Sequence, residues 1–347
     1  MWKFHITDSW EKIQSEEYQT RWINILNCSP TSHVFFHPAL VQIWVESYLH
    51  LRKMRPLFIW GHVDGEVEVF FPLILWEKNW KGAFIKSIVP VGYSDYDYHD
   101  PLFSRTITDV EKESFWSDLM IFLTHCDADV IEIDGIRDYM ISTLAIWQKD
   151  EICPCLDLSE LNNEEELQFF LKPKLRGDVR RQIRRLTEQG NLELNEYYDH
   201  VPYGLFEDFM KAHSRKWPNA YKAPGFHPAL INMIHGNSPV HFSTLNLNGK
   251  TIAWHLGFKY NNIYYYYMPI GNHEYEKYSP AKIHLYYLLA KFIKRGYTLF
   301  DHLRGSETYK DGWSNRQIYV NHIRVYNKKA TTKLKLLVLK IKKIIKK

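Results

Sequence analysis

The chain has 347 residues, more than one typical domain, so two compact units with cores of their own are expected. Hydrophobic residues at 45%, charged residues at 24%, 16 glycines and 15 prolines lie in the globular range and exclude collagen-like, coiled-coil and largely disordered chains. The formal charge is +4, but Lys328 to Lys347 holds nine lysines and no acid; the rest carries 35 basic against 40 acidic residues, and the basicity belongs to the tail.

In chain order, Met1 to Trp10 is polar and aromatic, with no basic segment leading into an apolar run, which is unlike a secretory signal and points to a cytoplasmic protein. Phe36-His37-Pro38-Ala39-Leu40 opens a helical stretch, and the same five residues recur at Phe226-His227-Pro228-Ala229-Leu230. Behind the first copy, β-patterns over Arg55 to His62 and Glu66 to Leu75 flank the turn residues Asp64-Gly65. A strand over Phe84 to Pro90, a helix over Asp109 to Cys126 and a strand over Asp129 to Asp134 follow. Near Asp150 to Leu161 the first unit, 1–155, gives way to a second, 156–327. The four cysteines are scattered, and Cys153-Pro154-Cys155 lacks the spacer of a redox or zinc pair, so they read as reduced thiols.

The second unit opens with an acid-rich helix from Asn163 to Leu171 and a basic one from Lys174 to Glu188, in which Arg176, Arg180 and Arg184 share a stripe. Strands over His241 to Leu247 and Lys250 to Phe258 flank Asn248-Gly249, repeating the hairpin behind the second pentapeptide. The turn Asn261-Asn262 leads to a strand over Ile263 to Met268, then a helix over Pro280 to Arg295 and a strand over Tyr297 to Asp301. From Lys333 to Lys347, Leu334, Leu337, Val338, Ile341, Ile344 and Ile345 recur at helical spacing among lysines, the pattern of a helix lying on an anionic membrane surface; nucleic-acid contact or a solubilising tail are the competing readings. Apolar runs such as Val69 to Trp76 fall short of the roughly 18 residues of a membrane span. The order of elements predicts an α+β protein of two similar units, each a mixed, mostly antiparallel sheet flanked by helices, with the basic tail 328–347 added.

No dinucleotide fingerprint, Walker loop, nucleophile elbow or His-Glu-x-x-His is present. The 17 histidines are dispersed, and His33 and His37 have no nearby carboxylate, so no metal is expected. From Ser279-Pro280-Ala281-Lys282 through Gly296 to Asp301 and on to Arg304-Gly305-Ser306-Glu307-Thr308-Tyr309-Lys310-Asp311-Gly312-Trp313, the sequence resembles the CelD/BcsL-type acyltransferases of the GNAT superfamily. These are relatives of the FemAB enzymes, which also carry two GNAT-like units. The likeness takes in the arginine helix and the loop Gly92-Tyr93-Ser94-Asp95-Tyr96, and covers about Phe36 to Tyr326.

The resemblance implies transfer of an acyl group from a thioester, usually acetyl-CoA or another acyl-CoA, to an amine such as an amino sugar in cell-envelope or exopolysaccharide synthesis. It places the donor pyrophosphate at the start of the central helix, where free N–H groups and the helix dipole favour anions. Here that start is Ser279, Pro280, Ala281 and Lys282, with Ala281 where a glycine often stands. Because the glycine-rich loop is absent, an aminoacyl-tRNA donor of the FemAB kind, or a non-catalytic GNAT-fold binding module, remains an alternative. Asp301 and Glu307 are the candidate bases, and Lys310 matches a FemAB lysine near the transferred carbonyl; equally, Asp301 caps a turn and Glu307 pairs with Lys310. Tyr265 and Tyr267 face the donor, or pack the strand. The loop Asp95, Tyr96, Asp97 and Asp100 binds the acceptor, or forms ordinary turns. Arg180, Arg184 and Arg304 neutralise phosphates of the substrate, or the arginine helix is a solvated face. The protein is thus expected in the cytoplasm, at the inner face of the cell membrane.

Overall fold

The computed structural model describes all residues except 64, 66, 81–82, 138–146 and 346–347. Asp64 of the first expected turn and the last two residues of the tail therefore lie outside the described residues. Two compact units emerge, one of residues 1–150 with 319–347 and one of residues 151–318.

The first unit runs β1 (Lys3–Thr7), α1 (Trp10–Ile13), α2 (Glu16–Cys28), α3 (Pro38–Leu49), β2 (Lys53–Val63), β3 (Val67–Trp80), β4 (Ala83–Pro90), β5 (Leu102–Phe103), α4 (Asp109–Thr124) and β6 (Val130–Arg137). Strands β1 to β4 pair antiparallel in sequence order. After the crossover helix α4, β6 lies parallel to β4, as a helical connection permits. The core is aromatic: Trp22, Trp44, Trp60 and Trp116 are all buried, and the Trp22 indole donates to the Phe36 carbonyl at 3.0 Å.

The second unit takes β7 (Trp147–Asp157) from Glu151 onward, then α5 (Glu164–Phe170), α6 (Pro173–Thr187), β8 (Leu192–Tyr197), α7 (Tyr203–Lys216), α8 (Phe226–Asn232), β9 (Val240–Leu247), β10 (Lys250–Tyr260), β11 (Ile263–Gly271), α9 (Pro280–Lys294) and β12 (Leu299–Asp301). Strands β8 to β11 repeat the antiparallel series, and β12 follows α9 to lie parallel to β11. Asn248 and Gly249 (φ 50° and 78°), and Asn261 and Asn262 (φ 47° and 57°), adopt the left-handed geometry that tight hairpins demand. On one face of this sheet α9 buries Leu288, Leu289 and Phe292, the last stacked on Tyr264 with ring centroids 3.9 Å apart.

Each unit thus has the same plan, and each ends its sheet on a strand antiparallel to the post-helical one. In the second unit that strand is β7, with Asp301 opposite Cys155. In the first it is β13 (Arg316–Tyr326), whose Val320 to Tyr326 pair with Arg137 to Val130. Tyr319 to Tyr326, which chain order places in the second unit, and 328–347, which it sets apart as a tail, both cluster with the first. The tail is α10 (Ala330–Ile345), where buried Thr332 donates to Asp129 at 2.7 Å and Lys335 pairs with the other oxygen of Asp129 at 2.7 Å.

The repeated pentapeptide is used differently in its two copies. At the first, His37 precedes the helix and its Nδ1 accepts the Ala39 N–H at 3.3 Å, with Pro38 at the first helical position. At the second, α8 starts at Phe226, so Pro228 falls within the first turn, where its missing N–H leaves no hydrogen bond unmade.

Candidate active site

In the second unit β11 and β12 pair only from Ile263 to Tyr265, whereas β11 continues to Gly271. Beyond Tyr265, β10 is the strand that pairs with it among the described residues, and the register slips between Leu256 and Phe258. The end of β11, at Gly271, lies beside the start of α9.

A cavity of about 730 Å³ lies here. Its apolar lining includes Trp254 and Ile270, and α7 contributes Lys211, Arg215 and Lys216. Lys250 and the first residues of α9, Ser279 to Lys282, also line it. Pro280 has no N–H, and the Ala281 N–H has no acceptor among the described residues; both Lys282 and Ile283 donate to the Ser279 carbonyl. Ser279 does occupy the N-cap, but in the left-handed region (φ 52°), and its hydroxyl makes no capping bond. The helix start is therefore left able to accept an anion. Gly271 matters for the same reason: a Cβ there would stand 3.0 Å from Pro280 Cγ and 3.3 Å from the Ala281 nitrogen.

Several of the cations are partly balanced. Lys282 pairs with Asp178 at 2.7 Å, and this hydrogen bond holds the Asp178 carboxyl below the usual range, with Arg181 adding to it. Lys250 pairs with Glu274 at 2.7 Å, and Lys211 lies 3.8 Å from Asp208. Arg215 has no ion-pair partner among the described residues. The cavity thus combines a polyanion-seeking rim with an apolar floor.

The predicted site residues separate into different environments. Asp301 is buried and accepts the Leu303 N–H at 2.8 Å, so it caps the turn after β12. Lys310, also buried, donates from Nζ to the carbonyls of Leu303 (3.2 Å) and Arg304 (2.9 Å) and pairs with Glu307 at 2.9 Å. It braces a loop in which Leu303 sits at φ 59°. Glu307 is the exposed member, its side chain 57% accessible. Burial pushes its carboxyl up, but the Lys310 hydrogen bond and the charges of Lys310 and Lys216 outweigh that and hold it below the usual range. Since Lys216 lines the cavity, Glu307 is within electrostatic reach of it. Tyr265 is wholly buried, and half-buried Tyr267 packs on Phe258 with centroids 5.1 Å apart.

In the first unit the expected acceptor loop is internal structure. Asp95 accepts from Trp44 Nε1 (3.0 Å) and Tyr48 (2.8 Å), and the buried Tyr96 hydroxyl donates to the Leu40 carbonyl at 2.9 Å. Asp100 is buried against Arg137 at 2.6 Å, while Asp97 is half-buried. Asp95, Tyr96 and Asp100, the expected acceptor-binding residues, are thus held by the first unit's own core. On α6, Arg180 is hydrogen-bonded to Gln168 at 3.0 Å, and Arg184 lies 3.7 Å from Glu188 on the exposed face. Half-buried Arg304 contributes its carbonyl to Lys310. Sequence reasoning missed the α7 cations and Trp254; the lysine-arginine cluster Lys211, Arg215, Lys216 was the available signal.

Residues 173–311 match the family Acetyltransf_6, described as acetyltransferase (GNAT) domain. No curated protein matches the chain. Among solved structures, FemX is similar over 87% of this chain and 95% of its own, at 10% identity and TM-score 0.55. A conserved protein of unknown function from Bacteroides thetaiotaomicron is similar over 92% of this chain and all of its own, at 14% identity and TM-score 0.53. The C-terminal domain of a putative lysylphosphatidylglycerol synthetase from Agrobacterium fabrum is similar over 93% and 94%, at 10% identity and TM-score 0.53. At these identities the likeness is one of fold. Residues 173–311, within the second unit, are thus similar to a GNAT-type acetyltransferase domain.

Proposed function

We propose that the protein is a CelD/BcsL-type N-acyltransferase that takes an acyl group from an acyl-CoA, acetyl-CoA first among them, and passes it to an amine such as an amino sugar in envelope polysaccharide synthesis. The observation that carries this reading is the cavity at the start of α9, where the Ala281 N–H, without an acceptor among the described residues, and the α7 cations meet an apolar floor. A pyrophosphate suits the rim, and Trp254 and Ile270 give the donor's arm an apolar surface. In the reaction the amine nitrogen attacks the thioester carbonyl, a C–N bond forms, the C–S bond breaks, and the thiol leaves with the proton the amine gives up. Glu307 is our candidate for moving that proton, since its carboxylate is accessible while Asp301 is bonded to backbone. We assign Lys310 to shaping the loop that carries Glu307. Acceptors of this class are assembled at the inner face of the membrane, and we place the working protein there, in the cytoplasm.

Calorimetric titration with acetyl-CoA and CoA tests the donor. Micromolar binding that falls at least tenfold in Arg215→Glu, with an unchanged melting temperature, is the expected result. No heat with either ligand overturns the acyl-CoA assignment. The α7 cations would equally meet the acceptor stem of an aminoacyl-tRNA, so a titration with charged tRNA decides between the donors.

A further inference from the structure

Helix α10 has two unlike faces. Its inner face is tied to the first unit at Asp129, whose carboxylate takes Thr332 on one oxygen and Lys335, together with the Lys86 N–H at 3.0 Å, on the other. The approach to the helix is tied down as well: the Asn327 N–H donates to the Asp129 carbonyl at 2.8 Å and its side chain to the Ala128 carbonyl at 3.2 Å. The helix is therefore not free to turn about its axis.

Rotation fixed in this way leaves Leu334, Leu337 and Ile341 outward, 63%, 52% and 47% exposed. Their spacing of three and four residues makes a single stripe. One exposed leucine is ordinary; a stripe of three within a segment that contains nine lysines and no acid is not. Lys328, Lys329 and Lys333 are exposed beside it. A nucleic acid would engage the lysines and leave the leucines in water. A lipid surface uses both, with apolar side chains in the acyl boundary and ammonium groups among headgroup phosphates. At 16 residues, or about 24 Å, α10 is shorter than the roughly 30 Å hydrocarbon core, and no described helix is long and apolar enough to cross a membrane.

We infer that α10 is a fixed docking helix that lays the first unit on an anionic bilayer through Leu334, Leu337 and Ile341. The inference rests on the membrane location in the reading above, and does not depend on the acyl donor. The test is co-sedimentation of the full chain with vesicles of phosphatidylcholine alone or mixed with phosphatidylglycerol. Binding to the mixed vesicles, weakened by salt, should fall at least tenfold when Leu334→Glu, Leu337→Glu and Ile341→Glu are combined, and only a few-fold for Lys328→Gln with Lys329→Gln. An unchanged melting temperature establishes that the triple variant is folded. Equal binding by wild type and triple variant, no binding to either vesicle, or binding indifferent to phosphatidylglycerol overturns the inference. Titrating the unaltered chain with CoA separates the two readings: no vesicle binding with CoA binding present sinks only the docking face, and vesicle binding with no CoA binding sinks only the acyl-CoA assignment.

Discussion

Lys310 and Asp301 act on the same turn from opposite ends. Leu303 sits at φ 59°, a conformation that costs a side-chain-bearing residue on the order of 1–2 kcal/mol, and it persists because Asp301 holds its N–H while Lys310 holds its carbonyl. Lys310→Met should strand the carbonyls of Leu303 and Arg304 and destabilise the protein by about 2–4 kcal/mol, read as a lower midpoint in urea. Glu307→Gln, at an accessible position, should cost about 1 kcal/mol or less. Equal losses would mean that the Glu307–Lys310 pair, rather than the carbonyl brace, holds the loop. The family resemblance drew attention to Asp301, Glu307 and Lys310, but it could not say which of them turn inward, because the carbonyls that engage Lys310 depend on a backbone reversal that no side-chain pattern announces. The same applies to Asp95, Tyr96 and Asp100, whose polarity reads as solvent-facing until the partners Trp44, Leu40 and Arg137 are brought to them.

Among the elements, α9 connects most directly to the proposed chemistry. Its range was legible to within a residue, since Pro280 and the apolar periodicity behind it mark a helix start. The helices α5 and α6 were equally legible from their runs of acidic and basic residues. What the pattern missed is how the helix start is kept open. The glycine absent at Ala281 has a counterpart across the gap in Gly271, where the end of β11 passes against the first turn. Gly271→Ala should press on Pro280 and Ala281 and weaken CoA binding several-fold, by calorimetry, while shifting the melting temperature by only a few degrees. Unaltered affinity would show that this approach does not shape the donor site. The two copies of Phe-His-Pro-Ala-Leu teach a related point: five identical residues start a 12-residue helix in one setting and sit inside a seven-residue helix in the other, because the residues before them decide where the first turn begins.

For the molecule as a whole, buried histidines set the response to acid. Burial pushes His284 and His302 down to about 3, and His213 likewise to about 3 with help from the charges of His227 and Lys216. All three are neutral when folded, whereas the unfolded chain takes up their protons near pH 6.5. The unfolded state therefore binds more protons below that pH, so their contribution is complete above about 6.5 and is lost as pH falls toward about 3, at about 2 kcal/mol for each histidine by pH 5. A melting temperature at least about 5 °C lower at pH 5 than at pH 7.5 is expected; a flat profile would mean that these imidazoles are protonated in the fold. The duplication itself could be read from the repeated hairpins and their turns. The exchange of closing strands could not, because the alternation in β13 reports that one of its faces is buried and says nothing of which strand it pairs with.

That exchange has a consequence for how the protein is made. The first unit lacks its closing strand and α10 until the whole of the second unit has been synthesised, although β6, the partner of β13, is translated nearly two hundred residues earlier. On the ribosome the second unit, a continuous stretch of 151–318, has all of its chain available first. The first unit waits with the edge of β6 unpaired until residues 319–345 follow the second unit out of the ribosome, and only then does α10, with its lysine-rich surface, come into being.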